Sequence, residues 1–179
     1  IRLTRRSRRF HDGWIAPPRG PEEFGEYLER NGRSDFEAYL LVRTTDAVVL
    51  GAINISQIFY GGFQSAYLGY WIGAPFAVQG YMRDGLSLAV DRAFRPLRVH
   101  RVEANVQPHN VPSRRLVQGL GFRFEGYSPR YLKLGGRWRD HERWALLRDE
   151  WPRRRARRGA QQRAAGDAER RHQLGLWRR

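Results

Sequence analysis

The sequence predicts one mixed α/β domain with a mostly antiparallel central sheet flanked by helices. Strand-like runs at residues 36–43 and 48–59 are separated by a four-residue turn, which is typical of a hairpin. Two strand-then-helix units follow, and a second hairpin turns at Gly135 and Gly136. Hairpins on both sides of βα units favour a mixed sheet over a doubly wound parallel one.

Each element has a local signal. An early helix is predicted over residues 20–32, because Pro21 suits a first helical turn and Phe24, Tyr27 and Leu28 share one face. Apolar residues at helical or alternating spacing predict the rest. These are strands at 65–73, 101–107, 122–134 and 140–147, and helices at 79–95 and 110–120.

Composition bounds the class of protein. The chain has 179 residues, 41% hydrophobic and 13% aromatic, which is enough for one globular core. It has no cysteine, which excludes disulfides and thiolate metal sites. No apolar run approaches the ~20 residues that cross a bilayer, and we expect a cytoplasmic protein. No His pair has metal-ligand spacing, so we expect no metal.

Positive charge is concentrated at the two ends. The net charge is +15, and the excess of arginine lies in residues 1–9 and 152–179. We predict one domain at 1–151, followed by an Arg-rich extension at 152–179. Such runs attract phosphate backbones, although a solvated face without function is the alternative. We expect the extension to be disordered or partly helical. Its apolar residues 174–177 either dock on the domain or stay disordered.

The segment between strand 65–73 and helix 79–95 is suited to hold phosphates. A helix start offers free N–H groups and a partial positive charge. Gly80 allows the backbone to approach a pyrophosphate closely. An ordinary structural turn is the alternative interpretation.

Beyond the next strand, Asn110 is placed to cap the helix at 110–120, and Gly121 to end it in the left-handed conformation. The run EANVQPHNVPSRRL at 103–116, closed by LGF at 120–122, resembles the GNAT superfamily of N-acetyltransferases. Within it, the chain resembles the RimJ/RimL-like branch, which acetylates N termini of ribosomal proteins. Supporting matches are YLGYWI at 67–72, QGYM at 79–82 and YLKLGGRWRDH at 131–141. The resemblance covers about residues 36–151.

One departure lies in the acyl-CoA loop. The family pattern is Arg/Gln-x-x-Gly-x-Gly/Ala, whereas this chain has Pro75 and Val78 at the first two marked positions and keeps only Gly80. A β-branched residue disfavours positive φ and places a side chain where the backbone would face phosphate. We therefore expect Val78 to weaken cofactor binding.

The resemblance implies that acetyl-CoA binds between two splayed central strands and that an amine attacks its thioester directly. Main-chain groups of Trp71 and Ile72 would pair with the pantetheine as an added strand does. Asn110 would contact the cofactor while still capping its helix. Backbone amides at the loop and helix start would bind the pyrophosphate: Val78, Gln79, Gly80, Tyr81 and Met82.

Two side chains are candidates for proton transfer. Ser113 would protonate the departing thiolate, or else it only satisfies an N–H in its own helix. Glu103 would deprotonate the amine through a water molecule, or else it is an exposed or structurally paired carboxylate.

These observations predict an N-acetyltransferase that uses acetyl-CoA as cosubstrate and acts on a protein N terminus. By resemblance, the acceptor is the N-terminal Ala of a small-subunit ribosomal protein, and the basic ends would contact ribosomal RNA. Another amine acceptor is one alternative, although the positive charge argues against a polyamine. The second alternative is a cofactor-impaired module that contacts RNA or protein.

Overall fold

The predicted mixed sheet is confirmed. The computed structural model describes residues 1–151 and the backbone of a strand at Leu174–Trp177. Seven strands form one sheet in the order β5-β6-β4-β3-β2-β1-β7, and every adjacent pair is antiparallel except β3 and β4. The strands are β1 (Phe36–Arg43), β2 (Val48–Phe59), β3 (Ser65–Ile72), β4 (Arg101–Val106), β5 (Arg123–Leu134), β6 (Arg137–Leu147) and β7 (Leu174–Trp177).

Within residues 1–151, three of the five helices were predicted within a few residues of their bounds. The helices are α1 (Arg2–Arg6), α2 (Arg8–His11), α3 (Pro21–Arg30), α4 (Tyr81–Phe94) and α5 (Val111–Leu120). Gly121 has a φ of 97° after α5, as its predicted role requires. The sequence analysis missed α1, α2 and a short 3-10 turn at Ala74–Phe76.

The main core lies between the sheet and helices α4 and α5. Leu86 and Val90 of α4 are fully buried against Leu41 and Ile53 of the sheet. Gly85 lets α4 approach closely, since a Cβ there would lie 2.6 Å from a Leu41 methyl. On the opposite face, α3 packs Tyr27 in a smaller cluster. No helix within residues 1–151 is long and apolar enough to cross a membrane.

The sheet opens between β3 and β4, as the resemblance implied. The two strands pair in parallel over only three residues, ending at Tyr67 and Glu103. Beyond that point β3 continues through Ile72 and β4 through Val106. A gap therefore widens between them, bordered by unpaired main-chain groups.

The Arg-rich start folds against this open end of the sheet. Its buried residues are polar: Thr4, Ser7 and His11, at the three- and four-residue spacing of one helical face. The Thr4 hydroxyl donates to the carbonyl of Pro18 at 2.5 Å. The Ser7 hydroxyl accepts from the N–H of Ala74 at 3.0 Å. The intervening arginines are exposed.

The extension contributes a strand. Residues 174–177 dock: β7 runs antiparallel to β1, with Leu174 opposite Arg43 and Trp177 opposite Leu40. The rest of the extension, 152–173 and 178–179, lies outside the described residues, and so does the prediction that it is disordered or partly helical.

Candidate active site

The loop before α4 ends in a left-handed glycine and a helix start without a side-chain cap. Gly80 directly precedes α4 with a φ of 88°, and no described side chain caps the helix. The N–H groups of its first turn, at Tyr81 and Met82, are therefore available to a ligand. The side-chain amide of Gln79 donates to the carbonyl of Pro75 at 2.8 Å, which closes the loop on itself.

Val78 adopts the conformation that its side chain disfavours. Its φ is 61°, so the loop keeps the left-handed turn for which the family pattern has Gly. The side chain is 97% exposed and makes few contacts that would offset the cost, about 1–2 kcal/mol for a left-handed non-Gly residue. The departure from the family pattern thus costs conformational free energy without removing the turn.

A cation lies at the foot of this loop. The Arg43 guanidinium, at the end of β1, lies 5.8 Å from the centre of the Phe76 ring and pairs with Asp46 at 2.6 Å. Its pKa is raised by hydrogen bonds to Asp46 and to Tyr81. The sequence analysis did not identify Arg43, because it comes from a strand 35 residues before the loop.

The gap receives the main-chain groups of alternate β3 residues. Gly73 donates to the Leu50 carbonyl at 2.7 Å, and Ala52 lies opposite Trp71. Because hydrogen bonds alternate along an antiparallel pair, the main chain of Trp71 points to β2 and that of Ile72 to the gap. The prediction that Trp71 offers its backbone to a ligand is therefore wrong.

Asn110 and Ser113 lie at the start of α5, beside the gap. The Asn110 side-chain oxygen accepts from the Ser113 N–H at 3.2 Å, so the predicted cap is present. The Ser113 hydroxyl lies 2.5 Å from the Tyr70 hydroxyl. Burial raises the pKa of the Tyr70 phenol to about 12, while the hydrogen bond with Ser113 acts in the opposite direction. Tyr70 was missed, since an aromatic residue in a buried strand reads as core.

Glu103 lies where β3 and β4 stop pairing, opposite Tyr67. It is buried, and its carboxylate accepts from Arg101 at 2.9 Å. Arg101 also bonds Glu125 at 3.1 Å. Burial first, and the negative charge of Glu103 second, raise the pKa of Tyr67 to about 12. The structure therefore shows Glu103 in the paired arrangement that the sequence left open.

An apolar cavity of about 570 Å³ adjoins Trp71 on the α3 face of the sheet. Two arginines, Arg2 and Arg6, stand among its lining residues, and none of the described residues that line it is acidic. Within residues 1–151, no group of three His, Asp or Glu side chains is arranged to hold a metal ion.

Comparison with known proteins identifies relatives of this chain. The family model "Acetyltransferase (GNAT) domain" matches residues 2–123. The ribosomal protein uS5-alanine N-acetyltransferase of Escherichia coli (strain K12) is 40% identical over 103 residues, which are 58% of this chain and 53% of the relative. "Probable N-acetyltransferase YjcK" of Bacillus subtilis (strain 168) is 34% identical over 122 residues, 68% of this chain and 67% of the relative. The chain thus spans about half of one relative and about two thirds of the other.

Solved structures share the architecture. Mycobacterium smegmatis RimJ in complex with CoA-disulfide superposes with a TM-score of 0.75 at 28% identity, over 84% of this chain and 77% of the other. The spermidine N-acetyltransferase of Vibrio cholerae, in complex with CoA and spermine, has a TM-score of 0.72 at 20% identity, over 83% and 89%. At that lower identity the likeness shows the fold alone.

Proposed function

Because the chain belongs to the acetyltransferase (GNAT) family and is, as predicted, an acyl-CoA-dependent N-acetyltransferase, we propose that it acetylates a protein N terminus. By resemblance, the acceptor is the N-terminal Ala of a small-subunit ribosomal protein. One observation carries the proposal. The strands β3 and β4 separate beyond Tyr67 and Glu103, β3 leads into an uncapped helix start, and Tyr70 of β3 bonds Ser113 in the helix after β4.

The residues present suit acetyl-CoA. First-turn amides of α4, together with the main chain of Val78, Gln79 and Gly80, would bind the pyrophosphate, because they combine unpaired N–H groups with the positive end of the helix dipole. Arg43 would lie near the pyrophosphate, with its charge partly offset by Asp46. The pantetheine would pair with the main-chain N–H of Ile72, whose carbonyl is bonded to His11. Asn110 would contact the cofactor with its amide N–H₂, since its oxygen caps α5.

The hydroxyl pair would serve the leaving group. Attack of the amine forms a C–N bond and releases the thiolate of coenzyme A. Ser113 would donate a hydrogen bond and then a proton to that sulfur, and Tyr70 would donate in turn to Ser113. A phenol with a pKa near 12 stays protonated at neutral pH, so the pair has protons to give.

Deprotonation of the amine needs only a modest base. A free α-amino group has a reference pKa of about 8, so a substantial fraction is neutral near pH 7.5. Glu103 would take the amine proton through a water molecule while its carboxylate stays bonded to Arg101.

A protein acceptor is favoured over a polyamine. Polyamines carry several positive charges and need acidic pockets, whereas the cavity beside Trp71 has arginines and no acidic residue among its described lining. The 40% identical Escherichia coli relative, whose name gives uS5 alanine as its acceptor, supports an N-terminal Ala.

The exposed arginines of α1 and α2 and the basic extension would help the enzyme to reach a ribosomal substrate in the cytoplasm by binding RNA phosphates. Co-sedimentation with ribosomes over a salt series, for the full chain and for a chain lacking residues 152–179, tests this idea. If the shortened chain shows unchanged co-sedimentation and unchanged salt dependence, the extension takes no part in RNA binding.

The main test uses labelled acetyl-CoA and a panel of peptides that begin with Ala, Ser, Met or Gly, with spermidine as the competing acceptor. Mass spectrometry should place the acetyl group on the α-amine of the Ala peptide. Acetylation of spermidine alone would show that the acceptor is a polyamine and not a protein N terminus. Calorimetry with acetyl-CoA identifies a non-catalytic module, which would give no saturable heat.

A further inference from the structure

Aromatic and basic side chains meet at the end of the sheet away from the opening of the gap. One row of paired residues crosses four strands there: Phe59 of β2, Ser65 of β3, Arg101 of β4 and Leu147 of β6. The loops that flank this row, at 60–64, 95–100 and 148–149, therefore lie side by side. From the row, β3 runs to Ile72, about 23 Å away at 3.3 Å per residue. This end of the sheet is thus separate from the proposed site of acetyl transfer.

Three aromatic side chains at the turn between β2 and β3 are exposed to solvent. Phe59, Tyr60 and Phe63 are 53%, 58% and 71% exposed. The rings of Phe59 and Phe63 lie edge to face, with their centres 6.3 Å apart. Single exposed apolar residues are ordinary on a protein surface, but a contiguous group marks a binding surface. The turn therefore presents stacking surfaces that the core of the domain does not use.

Two unpaired arginines share a pocket with one of these rings. The pocket has a volume of about 490 Å³ and is lined by Tyr60, Arg98 and Arg148, and none of its described lining residues is acidic. Arg148 donates to the carbonyl of Arg98 at 3.4 Å, and neither arginine forms an ion pair with a residue of 1–151. The exposed Asp149 follows Arg148 in the chain, but the two arginines outnumber it. We name Phe59, Tyr60, Phe63, Arg98 and Arg148 the basal patch.

Backbone hydrogen bonds hold the three loops of the basal patch together. The Gln64 carbonyl accepts from the N–H groups of His100 and Arg101 at 2.6 and 3.1 Å, and the His100 carbonyl accepts from the Arg148 N–H at 2.9 Å. Arg98 has a φ of 54°, a left-handed conformation that is unfavourable for a residue with a Cβ, and such strain is retained at functional positions. The pocket is therefore formed before any ligand arrives, which reduces the entropy lost on binding.

We propose that the basal patch binds single-stranded RNA, with bases stacked on the exposed rings and phosphates on Arg98 and Arg148. Proteins that bind single strands combine aromatic stacking surfaces with positive charge along the backbone of the nucleic acid, and both lie here around one pocket. An apolar protein partner would bury the two guanidinium groups without a counter-charge, and a duplex keeps the faces of its bases stacked inside. The inference goes beyond the proposed function, because acetyl transfer does not need this site and the basic ends of the chain do not form it.

Fluorescence anisotropy of a labelled oligouridine of about ten nucleotides, titrated with the full chain over a salt series, tests the patch. The double variant Tyr60→Ala/Phe63→Ala should raise Kd about tenfold or more without changing the salt dependence, because it removes stacking and no charge. Arg98→Gln combined with Arg148→Gln should raise Kd and reduce the slope of log K against log salt by about 1.4, at about 0.7 for each phosphate contact. Affinity for an RNA duplex of the same length should not depend on the two rings.

Matched controls come from the same chain. Trp138→Ala removes a ring that is 60% exposed at the β5–β6 hairpin, and Arg95→Gln removes an exposed arginine that pairs with Asp91 at 3.5 Å. Both should leave Kd nearly unchanged. If Tyr60→Ala/Phe63→Ala weakens oligouridine binding no more than Trp138→Ala, the proposal is overturned. It is also overturned if the patch variants keep their Kd but lose self-association in sedimentation velocity, because the patch would then join two copies of the chain.

Photochemical cross-linking of the wild-type chain to an oligonucleotide that carries thiouridine needs no variant. We expect mass spectrometry to find the nucleotide on the peptide that contains Tyr60 and Phe63. Cross-links confined to residues 1–9 and 152–179 would refute the proposal, because RNA would then contact only the basic ends. Both experiments measure RNA binding and not acetylation. Failure of the proposed function differs, since the wild-type chain would then acetylate no peptide whether or not it binds RNA.

Discussion

The hydroxyl of Ser113 lies 2.5 Å from the hydroxyl of Tyr70, joining the first turn of α5 to the part of β3 that borders the gap. The Ser113 N–H is held independently by the Asn110 side chain. The hydroxyl is therefore free of its own helix and is aimed at the strand. Two hydroxyls in such a chain can polarise each other and act as one donor.

We expect Tyr70→Phe and Ser113→Ala each to lower kcat about 100-fold, because each removes part of the donor to the thiolate. Acetyl-CoA affinity should change little. If the pair acts as a unit, the double variant should lose little more than either single one. Steady-state kinetics measure the cycle, with Tyr127→Phe on the exposed side of β5 as control. If the loss of kcat in the double variant equals the product of the two single losses, the two hydroxyls act independently.

Val78→Gly should raise both stability and acetyl-CoA affinity. Relief of the left-handed conformation, less the added entropy of an unfolded Gly, leaves about 1 kcal/mol. Urea unfolding and calorimetry measure the two quantities. Val78→Ala, which keeps a Cβ at the same φ of 61°, should recover less than half of the gain. No rise in affinity with Gly would mean that position 78 lies away from the phosphates.

Glu103→Gln should affect stability more than chemistry. It removes the charge that faces Arg101 at 2.9 Å, and we expect a loss of about 1 kcal/mol, because Arg101 keeps Glu125 as a partner. The loss of kcat should stay below about tenfold, since a free α-amino group with a reference pKa of about 8 needs little help to lose its proton. Urea unfolding and kinetics in parallel decide this. A kcat loss of about 100-fold or more at unchanged stability would instead identify Glu103 as the base.

Acid should destabilise the fold through its buried histidines. Burial is the main cause that lowers the pKa of His11 and of His141 below 6.5, so the unfolded chain binds these protons first. The free energy of unfolding should therefore be highest above pH 6.5 and fall as the pH drops toward 5. Urea unfolding at each pH measures the slope. His141→Gln should make the slope shallower, and an unchanged slope would contradict the assignment.

Removal of residues 173–179 should increase self-association. The deletion exposes the outer edge of β1, which β7 otherwise pairs from Leu40 to Arg43, and a bare edge strand is a template for another chain. Sedimentation velocity over a concentration series measures the effect. Removal of residues 178–179 alone is the control. Peptide acetylation should persist in both, since the gap lies two strands away.

Much of the architecture was readable because the pattern is local. Strand-like runs at 36–43 and 48–59, separated by a four-residue turn, gave both strands of the first hairpin at their observed bounds. The Asn110 cap and the Gly121 stop depend on residue type at a helix end. Glu103 lies where β3 and β4 stop pairing, and Ser113 bonds Tyr70 of β3, while the functional roles of both and of the loop at 78–82 stay predictions from the resemblance.

The sequence analysis missed the helices at the start of the chain because their buried residues are polar. In α1 and α2 the buried face is Thr4, Ser7 and His11, and a search for apolar periodicity reads such a segment as a solvated basic run. The polar face is stable there because partners exist to satisfy it, among them the carbonyls of Pro18 and Ile72. Those partners lie 14 and 61 residues away.

The amino-acid sequence alone determined the strands, the main helices, the loop before α4 and the family, because periodicity, capping residues and motif order act within a few neighbouring residues. Only the tertiary structure decided which groups meet. It directed the backbone of Ile72 rather than Trp71 into the gap, paired Glu103 with Arg101, joined Ser113 to Tyr70 and bonded His11 to the Ile72 carbonyl. Proton transfer depends on contacts of about 3 Å between side chains that are distant in the chain, and folding alone sets those distances.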